Sequence, residues 1–586
     1  MKSSRNGTTL IDLLVSIAII ALLFGGVYLV YFSIETAVAN VNVRGAAVAA
    51  IENEIEMVRN LPYESVGTVG GIPAGVIPQI QGVTQNGYGF DLQTTVLNIQ
   101  DPYDTSPSSS PVADYKLVDI TAACPLCQNF APVEITTTVA PSLLAQGTVY
   151  GSIFINVIDA NGLPVPTATV EVVNASVTPS IDLTDQTNAS GVLKLIGVPT
   201  STQGYQIFVS KPGYSSAQTF PQGAAGNPNP VQPNITVASQ TVSNVTFAID
   251  RTSALTVSTE NDRCSAIGNE PFSMNGSKLI GTNPNVLKFT TTTQTNTSGI
   301  ASFPNMEWDT YALTLADPSE NVAGTIPLDP ITIDPSSTAA FAFVLQPAAN
   351  PALLVTAADS ANGAGIPDAS VTITDGGTNI IQTTDHAAFS QTDWSGGQYA
   401  SQDGGIDTSG TGVITLLTNA SGTYDTGVQH WLISNTFDIG AGADGNASSS
   451  FNAISWTPAS QPAGTSIAFQ VAANNDNATW NFVGPDGTSN TYFTATSSSL
   501  PASLAGDRYF RYKAYMSTAD QNAAPSLTGV SVDFTGPCVP PAQTLFSGIP
   551  TGTYAVTASA PNYATATGTA VVNGGYQSTT IMMTHQ

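Results

Sequence analysis

The hydrophobic positions of this chain change period once, near residue 62. From Leu13 to Phe32 they are continuous and carry no charge, a run long enough to cross about 30 Å of hydrocarbon as a helix. Farther on, Val48, Ile51, Ile55 and Val58 recur at spacings of three and four, with Glu52, Glu54 and Glu56 expected mostly on other faces. One helix from about Thr9 to Asn60, roughly 75 Å long at 1.5 Å per residue, is predicted. Pro62 closes it.

Beyond Pro62 the period is two. Asn86-Gly87 signals a hairpin leading into Tyr88, Phe90, Leu92, Thr94 and Val96 on one face of a strand. Further strands are predicted at Tyr115–Ala122 and at Val133, Ile135, Thr137 and Val139. The expected fold class is therefore α+β at the N-terminus, a long transmembrane helix plus a small antiparallel sheet, followed by all-β sandwich modules.

Composition narrows the function. The 586 residues include 14 Lys plus Arg against 41 Asp plus Glu, a formal charge of −27, and only 9% are charged. Such a surface repels phosphate backbones and anionic headgroups, so no nucleic-acid partner is expected. With 42% hydrophobic residues the chain can build several ordinary cores.

The leader carries Lys2 and Arg5, ends at Gly7, and is followed by Thr8-Thr9-Leu10-Ile11-Asp12. Its charge favours a cytoplasmic N-terminus, with the bulk of a single-pass protein outside the cytoplasmic membrane. A cleavable signal peptide is the alternative, with Ala37-Val38-Ala39 as its site. The apolar run is longer than a signal core, however, and a carboxylate precedes it.

Gly7, Leu10-Ile11, the acid at the fifth position after Gly7 and the unbroken apolar run together resemble the type IV pilin and pseudopilin class. The resemblance implies cleavage between Gly7 and Thr8 by a prepilin peptidase, methylation of the new amine, and pairing of Asp12 with the N-terminal ammonium of another pilin subunit. Here the acid is Asp rather than the usual Glu, and Thr8 replaces the usual aromatic residue. Residues 1–7 are then the leader, 8–60 the transmembrane and spine helix, and 61–147 a pilin-like β headgroup.

The remainder repeats. Ile155–Asp159, Pro164-Val165-Pro166, Ala168–Val172, Asn188-Ala189-Ser190-Gly191, Gly197-Val198-Pro199 and Tyr205–Val209 outline a first sandwich over 148–250. The pattern resembles carboxypeptidase regulatory-like domains, related to Cna-B modules. A second copy, over 251–348, is marked by Asn296-Thr297-Ser298-Gly299 and Trp308–Leu313. A third begins at 349–383 and resumes at 537–586 with Gly548-Ile549-Pro550 and Thr553–Val556. Residues 384–536 are read as an inserted β-sandwich of lectin-like type, since insertion is tolerated where loop ends lie close together.

Candidate sites follow from residue type. In the insert, Trp394, Trp431, Trp480, Arg508 and Arg511 are candidates for ligand binding, because aromatic rings stack on sugars and the bases are clustered, with Lys513, in a base-poor chain. Large aromatics also fill sandwich cores. Asp403-Gly404 and Pro485-Asp486-Gly487 could hold Ca²⁺ or simply make turns; no other cofactor or metal is expected. Cys124-Pro125-Leu126-Cys127 can be a redox pair, half a zinc site or a local disulfide, and the absence of a βαβ context and of nearby ligands favours the disulfide. Cys264 and Cys538 can staple the second module to the insert's C-terminal edge.

No phosphate cradle, nucleophile elbow or helical histidine pair occurs, so no enzyme is expected. The Cna-B resemblance raises Lys-Asn isopeptide bonds, but the first strands of the modules contain no lysine. The expected role is a minor pilin-like surface subunit that displays sandwiches for adhesion or recognition, with a glycan or surface ligand. The alternatives are a pseudopilin-like component of a secretion or DNA-uptake system and an uncleaved membrane-anchored surface protein.

Overall fold

A computed structural model describes residues 35, 38–99, 115–127, 130–140, 150–440 and 449–586. The predicted membrane run Leu13–Phe32, the cleavage junction Gly7-Thr8 and Asp12 lie outside the described residues. Among those described, no helix is long and apolar enough to cross a membrane. They divide into two compact units, Met1–Arg251 with Leu279–Val286, and Thr252–Lys278 with Leu287–Gln586.

In the first unit, helix α1 covers residues 38–59 and lies on an antiparallel sheet of order β1-β2-β3-β4. The strands are β1 (Ile80–Gln85), β2 (Tyr88–Ile99), β3 (Tyr115–Ala123) and β4 (Val133–Val139). Ala47, Ile51, Ile55 and Val58 of α1 share a buried core with Phe90, Leu92, Val96, Val118 and Ile120. Glu54 departs from the sequence reading. It is buried on the same helical face as Ile51, Ile55 and Val58, and burial raises its carboxyl pKa. Spacing explains this, because residues 51, 54, 55 and 58 fall at i, i+3, i+4 and i+7. After α1 the chain turns through Tyr63–Ser65, where buried Lys116 of β3 donates from Nζ to Tyr63 O at 2.8 Å and Val66 O at 2.6 Å.

A first sandwich follows in the same unit. Its opening strand, Tyr150–Ile158, lies between Val192–Pro199, antiparallel, and Val242–Ala248, parallel. The facing sheet centres on Thr169–Asn174, paired with Ile181–Gln186 and Ser201–Ser210.

The second unit uses this topology twice more. Ser253–Glu260 pairs antiparallel with Ile300–Met306 and parallel with Thr338–Pro347. Ala352–Asp359 pairs antiparallel with Gln543–Ser547 and parallel with Tyr576–Met583. Their facing sheets centre on Pro271–Gly276 and Ser370–Asp375. Between Thr378–Thr383 and Gln543–Ser547 the chain leaves to build three further sheets around a separate aromatic-rich core.

Local chemistry repeats with the topology. A buried threonine follows the strand paired with the centre of each facing sheet: Thr187, Thr295 and Thr384 accept from Ala168 N, Glu270 N and Ala369 N at 2.9, 3.0 and 2.9 Å. A tyrosine in each module donates to a carbonyl a few residues upstream: Tyr205 to Pro199 O, Tyr311 to Glu307 O and Tyr554 to Pro550 O. These bonds pair groups that would otherwise be buried without partners.

Candidate functional site

The insert is attached at a neck built from a modified turn. In the first two modules Asn188 and Asn296 close the corresponding turn, each side chain accepting from backbone amides two and four residues on. Asp385 takes this place in the third module. Its Oδ2 accepts from Asp368 N at 3.0 Å and from Ala542 N at 3.1 Å, so the turn is opened and 156 residues are carried between its two ends. A methyl group on Gly365 would meet Ala542 Cβ at 2.6 Å, so this close approach requires glycine.

Three other contacts hold the neck. Cys264, in the first turn of the second module, is disulfide-bonded to Cys538 just before the insert rejoins the third. The Gln543 side chain pairs with the backbone of Thr325, donating to its O at 2.9 Å and accepting from its N at 3.1 Å. His386 Nδ1 lies 2.6 Å from Asp533 Oδ1 and its Nε2 lies 3.5 Å from Asp368 Oδ1. The hydrogen bond to Asp533 raises the imidazole pKa, against the opposing effect of burial. In the sequence His386 belongs to no histidine pair at helical spacing, and nothing there points to this role. The threonine before an Asn or Asp, seen in Thr187-Asn188, Thr295-Asn296 and Thr384-Asp385, is the signal that marks the neck.

Within the insert, the Tyr509–Thr518 strand alternates sharply. Phe510, Tyr512, Ala514 and Met516 face the core, and Tyr509, Arg511, Lys513 and Ser517 remain partly exposed. Gln429–Ser434 and Thr465–Asn474 flank this strand, both antiparallel. Lys513 Nζ lies 4.4 Å from the Trp431 ring centre and 5.0 Å from that of Tyr515. Arg511 Cζ lies 4.4 Å from the Trp480 ring, and its Nε donates to Thr436 Oγ1 at 2.9 Å. Tyr492 meets Tyr515 edge-on at 5.0 Å. Burial lowers the pKa of both Arg511 and Lys513, while Asp403 raises that of Lys513.

The candidate residues therefore separate. Trp394 is fully buried, and its Nε1 donates to Tyr512 Oη at 2.8 Å, so it packs the core and offers no face to a ligand. Arg508 is held by a two-pronged ion pair with Asp438, at 2.7 and 2.8 Å. Trp431, Arg511, Lys513 and Tyr515 lie on one sheet, and Trp480 and Tyr492 are brought against Arg511 and Tyr515 from the chain that follows Thr465–Asn474. Cys124 and Cys127 form a local disulfide beside exposed Leu126. At the two turns considered for Ca²⁺, Asp486 Oδ1 accepts from Thr488 N at 2.8 Å and Thr491 Oγ1 at 2.5 Å, and Asp403 Oδ1 accepts from Gly405 N at 3.1 Å. Among the described residues, no group of three or more His, Cys, Asp or Glu side chains is placed to hold a metal.

No protein-family model matches the chain, and no curated protein does. Among solved structures, similarity is found to the Bacillus anthracis TIE protein, at 14% identity over 52% of this chain with a TM-score of 0.15. The chain spans 65% of the length of that protein. A streptococcal ancillary pilin is 8% identical over 39% of this chain and 75% of its own, with a TM-score of 0.17. The minor pilin GBS52 of Streptococcus agalactiae is 10% identical over 34% of this chain and 97% of its own, with a TM-score of 0.18.

Proposed function

We propose that this chain is a minor, pilin-like surface subunit that displays β-sandwich modules, with the insert serving adhesion or surface recognition. The observation that carries the reading is α1 on its antiparallel sheet. An amphipathic helix that buries one stripe against four strands directly follows an apolar run headed by Gly7, Thr8 and Asp12. Under this reading a prepilin peptidase cuts after Gly7, the new amine is methylated, and Asp12 pairs with the ammonium of a second pilin subunit. A carboxylate at the head of a membrane helix is tolerated when it is so paired. The chain then stands on the outer side of the cytoplasmic membrane or in a pilus.

The bulk after the headgroup favours a minor subunit, because several sandwiches on every copy would crowd a filament. Mass spectrometry of the N-terminus in the surface-exposed pool tests the proposal. Thr8 is the expected first residue, and a pool made wholly of intact Met1 chains would overturn it.

A further inference from the structure

We infer that the outer face of the Tyr509–Thr518 strand binds an acidic saccharide, with carboxylates meeting Arg511 and Lys513 and sugar rings lying against the neighbouring aromatic side chains. The inference rests on the display reading for its setting and names the ligand class of the displayed domain. Between Thr384 and Gly536 the only lysine or arginine residues are Arg508, Arg511 and Lys513, although aspartates are scattered throughout. Arg508 is neutralised by Asp438. Among the described residues, neither Arg511 nor Lys513 has a carboxylate within the 4.0 Å of an ion pair.

Arg511 and Lys513 stand two residues apart on one strand, about 7 Å, and so present two charges in a row. Each is already set against an aromatic ring, Trp480 for Arg511 and Trp431 for Lys513. A cation held over a ring is partly desolvated and loses little freedom when an anion arrives. Tyr492, which is exposed and packs edge-on against buried Tyr515, extends the aromatic surface beside them.

The mixture selects the ligand. A neutral sugar gains from the rings but not from two unpaired cations, and an acidic peptide gains from the cations but has less use for a row of rings. The formal charge of −27 opposes the dense charge of a phosphate backbone more than the single carboxylate per ring of a uronate chain. A uronate chain uses both kinds of group, since its rings carry apolar C–H faces and its carboxylates accept charge-assisted hydrogen bonds.

Calorimetric titration of the full chain in non-ionic detergent tests this, with a galacturonate oligosaccharide as probe and its methyl ester and poly-glutamate as controls. The galacturonate is expected to bind, to weaken as salt is raised, and to lose at least about tenfold in affinity in an Arg511→Gln/Lys513→Gln double variant. Trp431→Ala is expected to weaken it as well. Circular dichroism and the melting profile identify any variant that fails to fold, and the wild-type comparison of acid with ester needs no variant. Absence of galacturonate binding, equal binding of the ester, or stronger binding of poly-glutamate each overturns the inference, the last by reassigning the face to an acidic protein. A blank titration by chains that begin at Thr8 removes only the ligand class, whereas intact Met1 with saccharide binding removes only the filament setting.

Discussion

Asp385 and Ala542 stand 157 positions apart in sequence, yet Ala542 N donates to Asp385 Oδ2 at 3.1 Å. One carboxylate thus closes the opening through which a whole domain leaves its host sandwich. Replacing Asp385 by Ala removes the acceptor of both Ala542 N and Asp368 N. The expected cost is about 1–3 kcal/mol locally, read as faster hydrogen exchange at those two amides, while Asp385→Asn retains an acceptor and should exchange more slowly than the alanine variant.

The Cys264–Cys538 disulfide closes a sequence separation of 274 residues. A Cys264→Ser/Cys538→Ser variant should lose roughly 2–4 kcal/mol. Limited proteolysis should then cut near residues 536–542 sooner than in the parent. Unchanged cleavage would mean that the remaining contacts, Gln543 with Thr325 and Ala542 N with Asp385, suffice to hold this segment.

His386 links insert to host through Asp533 and Asp368, and its folded pKa is raised chiefly by the Asp533 hydrogen bond. A raised histidine gives its full stabilisation below the unfolded value of about 6.5 and loses it as pH climbs through the folded value. The insert's melting temperature should therefore fall as pH rises above about 6.5, and His386→Gln should flatten that dependence. The size is expected to stay below about 1 kcal/mol, because Asp368 is largely exposed and solvent screens it.

Lys116 behaves in the opposite sense. Burial lowers its pKa to about 8. The unfolded chain, with a lysine value near 10.4, binds more protons between those limits, so headgroup stability should rise from about pH 8 to pH 10. Lys116→Met should abolish this rise and cost about 1–3 kcal/mol near neutrality, because the Tyr63 and Val66 carbonyls lose their donor. Thermal melts across that pH range would measure both effects.

Legibility in the sequence followed how local each cause was. Alternation placed the inward residues of β2, including Phe90, Leu92 and Val96, because a half-buried strand records its two faces directly. Glu54 broke the helical reading, since residue type pointed outward while position pointed inward. The aromatic residues of the insert could not be sorted by type. Trp394 and Trp431 look alike in sequence, and only the packing of the sheets puts one in the core and the other beside Lys513. The neck was hidden for a different reason, because its partners are joined by tertiary contact across the whole insert. Only the recurring Thr-Asn or Thr-Asp pair announces it locally.

The parallel pairing of first and last strands in each of the three repeated modules has a mechanical consequence. Parallel neighbours start at the same edge of a module, so the chain enters at one end and leaves at the other. Tension transmitted along the chain through Tyr150–Ile158 and Val242–Ala248, or through Ser253–Glu260 and Thr338–Pro347, pulls these neighbours lengthwise past each other. Their hydrogen bonds then resist together in shear instead of parting one at a time like a zipper, a geometry suited to a tether under load.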